Sequence, residues 1–274
     1  MSRRLAPFAV VIVAVSILAA CSGAPALTDP KEIITQGLAA TTELSSLHLK
    51  VTVSGSVTDP TSGAEISLDG TTASGDFATS GQGHLSFAVP TLLGLAGDVI
   101  VLGSDAYVKT TLTGEKWAHQ PITPGLSVFG VGMPSPGASA AGATAAGSSD
   151  PKAKALAEVD KLLAKDGVVS KKLDDVDCGD VKCYHVQVTI PKSVVESADP
   201  TTASPMESLT SDVVLDLLFD REKLWLTEVS TKVTTSSGSV TAKVTFSKFN
   251  EAVTVSPPPS DQVQEGGLKF PGLP

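Results

Sequence analysis

Leu47-His48-Leu49-Lys50-Val51-Thr52-Val53-Ser54-Gly55-Ser56-Val57 is the stretch on which the fold turns. In an extended chain successive side chains point to opposite faces, so Leu49, Val51, Val53 and Val57 share one side and Lys50, Thr52 and Ser54 the other. Just upstream the period is different. Ile33, Ile34, Leu38, Thr41 and Leu44 recur at three-to-four spacing, which lines them along one side of a helix ending at about residue 45. Asp29 is placed to cap that helix, Pro30 suits its first position, and Glu32 completes a capping-box pattern. A helix therefore hands over to a half-buried strand within a few residues.

Downstream the two-residue period persists. Strands are expected at about 64–70, 73–79, 83–89, 97–102 and 105–111, with Gly81-Gln82-Gly83 and Gly103-Ser104-Asp105 among the turns. Leu85, Phe87 and Val89 share a face, and Trp117 closes this half. Pro121 to Pro151 breaks the pattern. Ile122 to Met133 is Gly-rich but apolar, with Leu126, Val128, Phe129 and Val131, and 134–149 is a Pro/Gly/Ala/Ser low-complexity insert expected to be mobile. Asp150-Pro151 opens a second helix of about 151–165 with an apolar stripe of Leu156, Val159, Leu162 and Leu163.

After Gly167 the alternation returns. Tyr184, Val186, Val188 and Ile190 form one face of a strand, and His185 points the other way, toward solvent. Pro191 to Ala198 reads as a short helix, 199–205 as a loop, and strands follow near about 211–219, 223–235 and 239–248. Pro257-Pro258-Pro259 stops the last strand, and the Pro-rich tail 257–274 is expected to be extended and loosely held. No internal repeat is visible. The sum is one α+β domain over 29–256: a large curved antiparallel sheet with a few helices against one face.

Composition narrows the function. The formal charge is −9, and two units more negative without Arg3 and Arg4, which argues against nucleic acid and against an electrostatic grip on anionic lipid. Apolar residues make up 42% of the chain but aromatics only 4%, so the apolar content is Val, Leu, Ile and Ala among many Thr and Ser, a composition that suits half-buried strands.

At the N-terminus, Arg3 and Arg4 precede a charge-free run from Leu5 to Ala20, too short for a spanning helix and laid out like a secretory signal. Leu18-Ala19-Ala20-Cys21 resembles the bacterial lipobox. That resemblance implies removal of residues 1–20, a diacylglyceryl group on the Cys21 thiol, acylation of the new amine, and a short tether over 21–28. Two or three acyl chains anchor far more firmly than one. The chain is then expected on the extracytoplasmic face of the cell membrane.

With Cys21 lipidated, Cys178 and Cys183 remain as an even pair, read as a disulfide across the tight turn Gly179-Asp180-Val181-Lys182. A metal site is the rival reading; it needs about four ligands, and His185 is the one histidine close in sequence.

Catalytic signatures are sparse. His48, His84, His119 and His185 are scattered without metal-ligand spacing, and neither a nucleophile elbow nor a phosphate-binding loop occurs. Ser149-Asp150-Pro151-Lys152 fits a Ser-x-x-Lys pattern, but at a helix start it reads as a cap. Asp174, Asp175 and Asp177 read as a solvated turn. No enzyme, cofactor or metal is expected.

The layout as a whole resembles the LppX/LprA/LprF/LprG family of mycobacterial-type lipoproteins. Carriers of the resemblance are Ile34-Thr35-Gln36-Gly37-Leu38 running into Ser46–Val51, then Gly75-Asp76-Phe77, Gly97–Val101 and Asp105–Lys109. Trp117 with the Pro/Gly-rich segment and helix after it, Leu218–Leu224, Thr245–Glu251 and Val253–Pro258 complete it. The resemblance implies a half-barrel sheet with helices over its concave face, similar in architecture to the carriers LolA and LolB, enclosing an apolar cavity for an acylated lipid or glycolipid. It also makes an envelope transporter a possible partner.

Residues expected to line that cavity are Leu85, Phe87, Val89, Val99 and Val101 from the first run of strands and Leu126 and Phe129 from the apolar segment. Leu156, Val159 and Leu163 of the second helix join them, with Val186 and Val188 of the later strand. An aliphatic lining with few rings can leave room that a wide aromatic core would fill. The alternatives are a non-catalytic envelope scaffold with a solid core, using 122–149 as its contact, and, less supported, a cell-wall enzyme.

Overall fold

The computed structural model describes residues 26–59, 61–112, 114–121, 151–197 and 209–266. The signal segment, Cys21, Leu126, Phe129 and the 134–149 insert lie outside the described residues.

Helix α1 spans Pro30–Thr42, and the Asp29 carboxylate accepts from the Lys31 N–H at 2.8 Å as its cap. The reciprocal half of a capping box does not form, because Glu32 instead accepts from Gln36 Nε2, one turn on, at 2.9 Å. Then come β1 (Ser46–Thr58), β2 (Glu65–Ser67), β3 (Thr71–Ala78), β4 (Gln82–Val89), β5 (Leu95–Leu102), β6 (Asp105–Thr110) and β7 (Trp117–Pro121). Helix α2 (Pro151–Leu163) precedes β8 (Val169–Lys172), β9 (Val176–Cys178), β10 (Val181–Ile190) and the short α3 (Lys192–Glu196). The long strands β11 (Val213–Asp220), β12 (Leu226–Thr235) and β13 (Gly238–Ser247) follow, and β14 (Val263–Glu265) ends the described chain.

All fourteen strands belong to one open sheet, ordered β14-β7-β6-β5-β4-β3-β1-β13-β12-β11-β10-β8, with β2 beside β1 and β9 beside β10. The expected α+β class stands: a single domain, a large antiparallel sheet and a few helices. The two meanders meet where β1 pairs β13 in register from His48↔Ser247 to Val57↔Gly238. The stretch quoted at the outset is thus the seam of the whole sheet.

Further expectations change. The tail was expected to hang loosely, yet Val263, Gln264 and Glu265 pair in parallel with Trp117, Ala118 and His119 and cover the β7 edge. A Pro run ends a strand but does not keep later residues from an open edge. The strand expected at 64–70 is only three residues long, because the chain turns at Asp69-Gly70, where the Thr71 N–H donates to Leu68 C=O at 3.1 Å.

Cys178 and Cys183 form the disulfide, with Cα atoms 5.9 Å apart across the β9–β10 hairpin. Asp175, read as solvated, is instead bound by Lys172 Nζ at 2.7 Å and Arg221 at 3.1 Å. Among the described residues no helix is long and apolar enough to cross a membrane.

Candidate functional site

In an antiparallel ladder, residues directly opposite one another share a face. Following the register from strand to strand therefore tells which side chains stand together. Val186 faces Leu217, then Val229, Val244, Val51, Ala73, Phe87, Gly97 and finally Thr110. That is one row across nine strands without a charge. A neighbouring row runs Phe246, Leu49, Gly75, Leu85, Val99, Val108, Ala118. The face carrying these rows is apolar from β10 to β7.

Among the described residues its two flanks are closed and its middle is less so. At one flank α1 lies over β8, β10 and β12 and touches α2. Ile33, Ile34, Leu163, Val186, Val188 and Phe219 form a core there, with Val186 and Phe219 at 0% exposure. At the other flank Phe87, Val99, Val101 and Val108 make a second buried cluster, with Leu85 and Val89 packed on it. Between them Val51 and Val53 of β1 and Val240, Ala242 and Val244 of β13 remain half-buried, with Ala73 of β3 at the border of the second cluster.

The aromatic rings keep low on this face. Phe77 stands opposite Gly83, and a Cβ on Gly83 would come within 2.6 Å of its ring; Phe87 stands opposite Gly97, where a Cβ would meet its ring at 3.0 Å. Each ring lies over a cross-strand glycine instead of projecting, a pairing that protects the glycine backbone and flattens the surface.

The expected lining residues divide accordingly. Leu85, Phe87, Val89, Val99 and Val101 lie together on the second cluster. Val186, Val188 and Leu163 are packed beneath α1, Val159 packs against that core, and Leu156 is half-buried on α2. The half-exposed strip of β1, β3 and β13 did not figure among the expected residues. Its signal was present in the alternation of Val240, Ala242, Val244 and Phe246 with Leu49, Val51 and Val53, but only the β1–β13 pairing shows that the two sets meet.

The outer face carries the charge. His48 Nδ1 lies 2.8 Å from Asp76, His84 Nε2 3.1 Å from Asp98, and His185 Nε2 2.9 Å from Asp216. His119 lies between Asp105 and Glu265, at 2.9 Å from each, and these contacts, the Asp105 bond foremost, raise its pKa above the ordinary histidine value. All four histidines thus sit beside carboxylates on the side away from the apolar rows. Among the described residues no cluster of three or more His, Cys, Asp or Glu could hold a metal ion.

A cleft of about 530 Å³ opens at one end of the sheet, beside the disulfide and between Trp225, Phe249 and Leu218. Its walls mix Asp177, Asp180, Lys223 and Glu228 with Val181, Phe246 and Phe249, and it opens to solvent, so it does not enclose an alkyl chain.

No family model and no curated protein matches the sequence. Among solved structures, Mycobacterium tuberculosis lipoprotein LppX is 19% identical over 82% of this chain and 97% of its own, with a TM-score of 0.45. LprF from Mycobacterium bovis is 16% identical over 84% of this chain and 98% of its own, with a TM-score of 0.50. At that identity the likeness speaks for architecture alone: this chain has the open-sheet fold of LprF.

Proposed function

We propose that the apolar face binds the acyl chains of a lipid or glycolipid. In this reading the chain is an exported lipoprotein, anchored through Cys21, that carries such a lipid within the cell envelope. The observation that carries the reading is the uncharged row from Val186 to Thr110, buried at both flanks and half-open along β13, β1 and β3. An aliphatic strip only half-buried by the described residues, in the middle of a sheet, is the kind of surface that takes an apolar ligand.

An alkyl chain laid there gains about 0.8 kcal/mol for each CH₂ it buries, so about ten methylenes suffice for micromolar binding before ordering costs are subtracted. Affinity of that kind needs no charged headgroup pocket, in keeping with a row that carries no Lys or Arg from Val186 to Thr110. The dry core under α1 confines the lipid to the strip and the second cluster, so Val186, Val188 and Leu163 serve as a wall behind it.

Native mass spectrometry of the mature protein from a bacterial host checks both parts at once. The expected spectrum shows the covalent diacylglyceryl mass on Cys21 and, separately, one or more lipids that solvent extraction releases. A consistently empty protein overturns the cargo reading.

A further inference from the structure

We propose that the turns at one end of the sheet form a lipid-inserting rim, which dips into the surface of an uncharged membrane or lipid aggregate. The end concerned, here the far end, is where β1, β4 and β6 finish. Leu92 and Leu93, in the β4–β5 turn, are 56% and 91% exposed. Leu112, in the β6–β7 turn, is 43% exposed, and Ile66 of β2 is 37% exposed. Large apolar side chains exposed singly need no explanation, but several on adjoining turns do.

These turns are tied together. Thr111 Oγ1 accepts from the Ala96 N–H at 3.2 Å and donates to Gly94 C=O at 3.4 Å, joining the Leu112 turn to the Leu93 turn. Gly70, which leads into β3, lies so near Pro90 that a Cβ there would be 3.3 Å from its Cγ. Leu93 itself has φ +52°, a left-handed conformation that a turn normally gives to glycine or asparagine. A leucine held in that conformation and almost fully in water is strain and exposure combined, the pairing found at functional sites.

The chemistry selects the partner. Protein interfaces concentrate Tyr, Trp, Phe, Met and Arg in a fitted core. Residues 90–94 and 111–112 offer leucines among Pro, Thr and Gly, on exposed turn tips. Such tips suit a fluid apolar phase. The charges nearby, Asp59, Glu65, Asp69 and Glu115 against Lys116, are mostly acidic, so attraction to anionic headgroups is absent and apolar insertion must supply the binding. The described chain also begins toward the opposite end, where the Leu27 N–H donates to Tyr184 Oη at 3.1 Å. The tips therefore point away from Leu27, close to where the described chain begins.

The test uses the full chain with one added thiol, Thr91→Cys, carrying an environment-sensitive dye, and phosphatidylcholine vesicles containing nitroxide lipid. The dye at position 91 should shift to the blue and be quenched, while the same dye at Ser80→Cys, in the β3–β4 turn at the other end, should stay in water. Leu92→Ser with Leu93→Ser should lower the vesicle partition of the position-91 signal at least about tenfold, and replacing part of the lipid by an anionic one should weaken it. Both leucines are exposed, so the fold should not suffer; a matching circular dichroism spectrum verifies this. An unquenched label at 91, full signal in the double variant, or stronger binding to anionic lipid overturns the proposal. So does self-association in the absence of vesicles that the double substitution abolishes, which would assign the leucines to a protein contact.

Discussion

Gly37 lies where α1 presses closest on the sheet, and its missing side chain is what permits the approach. A Cβ there would stand 2.3 Å from Cδ1 of Phe219 and 3.1 Å from the Leu224 carbonyl oxygen. Alanine is favoured over glycine inside a helix by about 1 kcal/mol, whereas overpacking a tight core costs about 1–3 kcal/mol. Phe219 is fully buried and cannot swing aside, so the clash should win. Gly37→Ala is expected to destabilise the domain by about 1–2 kcal/mol, read from the midpoint of chemical denaturation; an increase in stability would show that α1 is not seated this way. At this scale the sequence was readable for Asp29 and Pro30, whose roles are local. It was not readable for Gly37, because the reason for a glycine there is a ring about 180 residues away.

Elements were legible in proportion to their periodicity. The helix–strand handover at residue 45, the β3–β6 meander and the long strands β11–β13 follow from alternation and turn chemistry that a short window contains. The three-residue β14 does not, since its place is set by the open edge of β7 and not by its own composition. What secures it there is His119, whose ring lies between Asp105 of β6 and Glu265 of β14 and stacks on Tyr107 with centroids 4.9 Å apart.

Because its pKa is raised in the fold, first by Asp105 and then by Glu265, the imidazolium stabilises the folded edge fully below the ordinary histidine pKa. That contribution fades as pH rises through the raised value, when one of the two carboxylates loses its donor. Hydrogen exchange of Gln264 and Glu265, corrected for intrinsic rates, should therefore quicken as pH climbs from about 6 to about 8.5 relative to β5. His119→Gln should remove most of that difference. Exchange independent of pH in the native chain would detach the latch from this histidine.

For the whole molecule, the decisive feature is which faces coincide. Either run of strands could have turned its aliphatic side toward the helices or away, and alternation alone does not choose, since a one-residue slip exchanges the faces. The pairing Val51↔Val244 joins both aliphatic sides into one surface, and only after it is known does the strip between the two buried clusters become visible. The expected lining residues came from each half separately, which is why they fall on the flanks while the middle was passed over.

A photoactivatable fatty acyl lipid, bound to the purified protein and crosslinked by light, reports on that middle directly when the labelled peptides are sequenced. Adducts are expected on Val51, Val53, Ala73, Val240 and Val244, with His48, Lys50 and Lys243 of the outer face unlabelled. Adducts spread over the outer face, or none on β1 and β13, would contradict lipid binding along this strip.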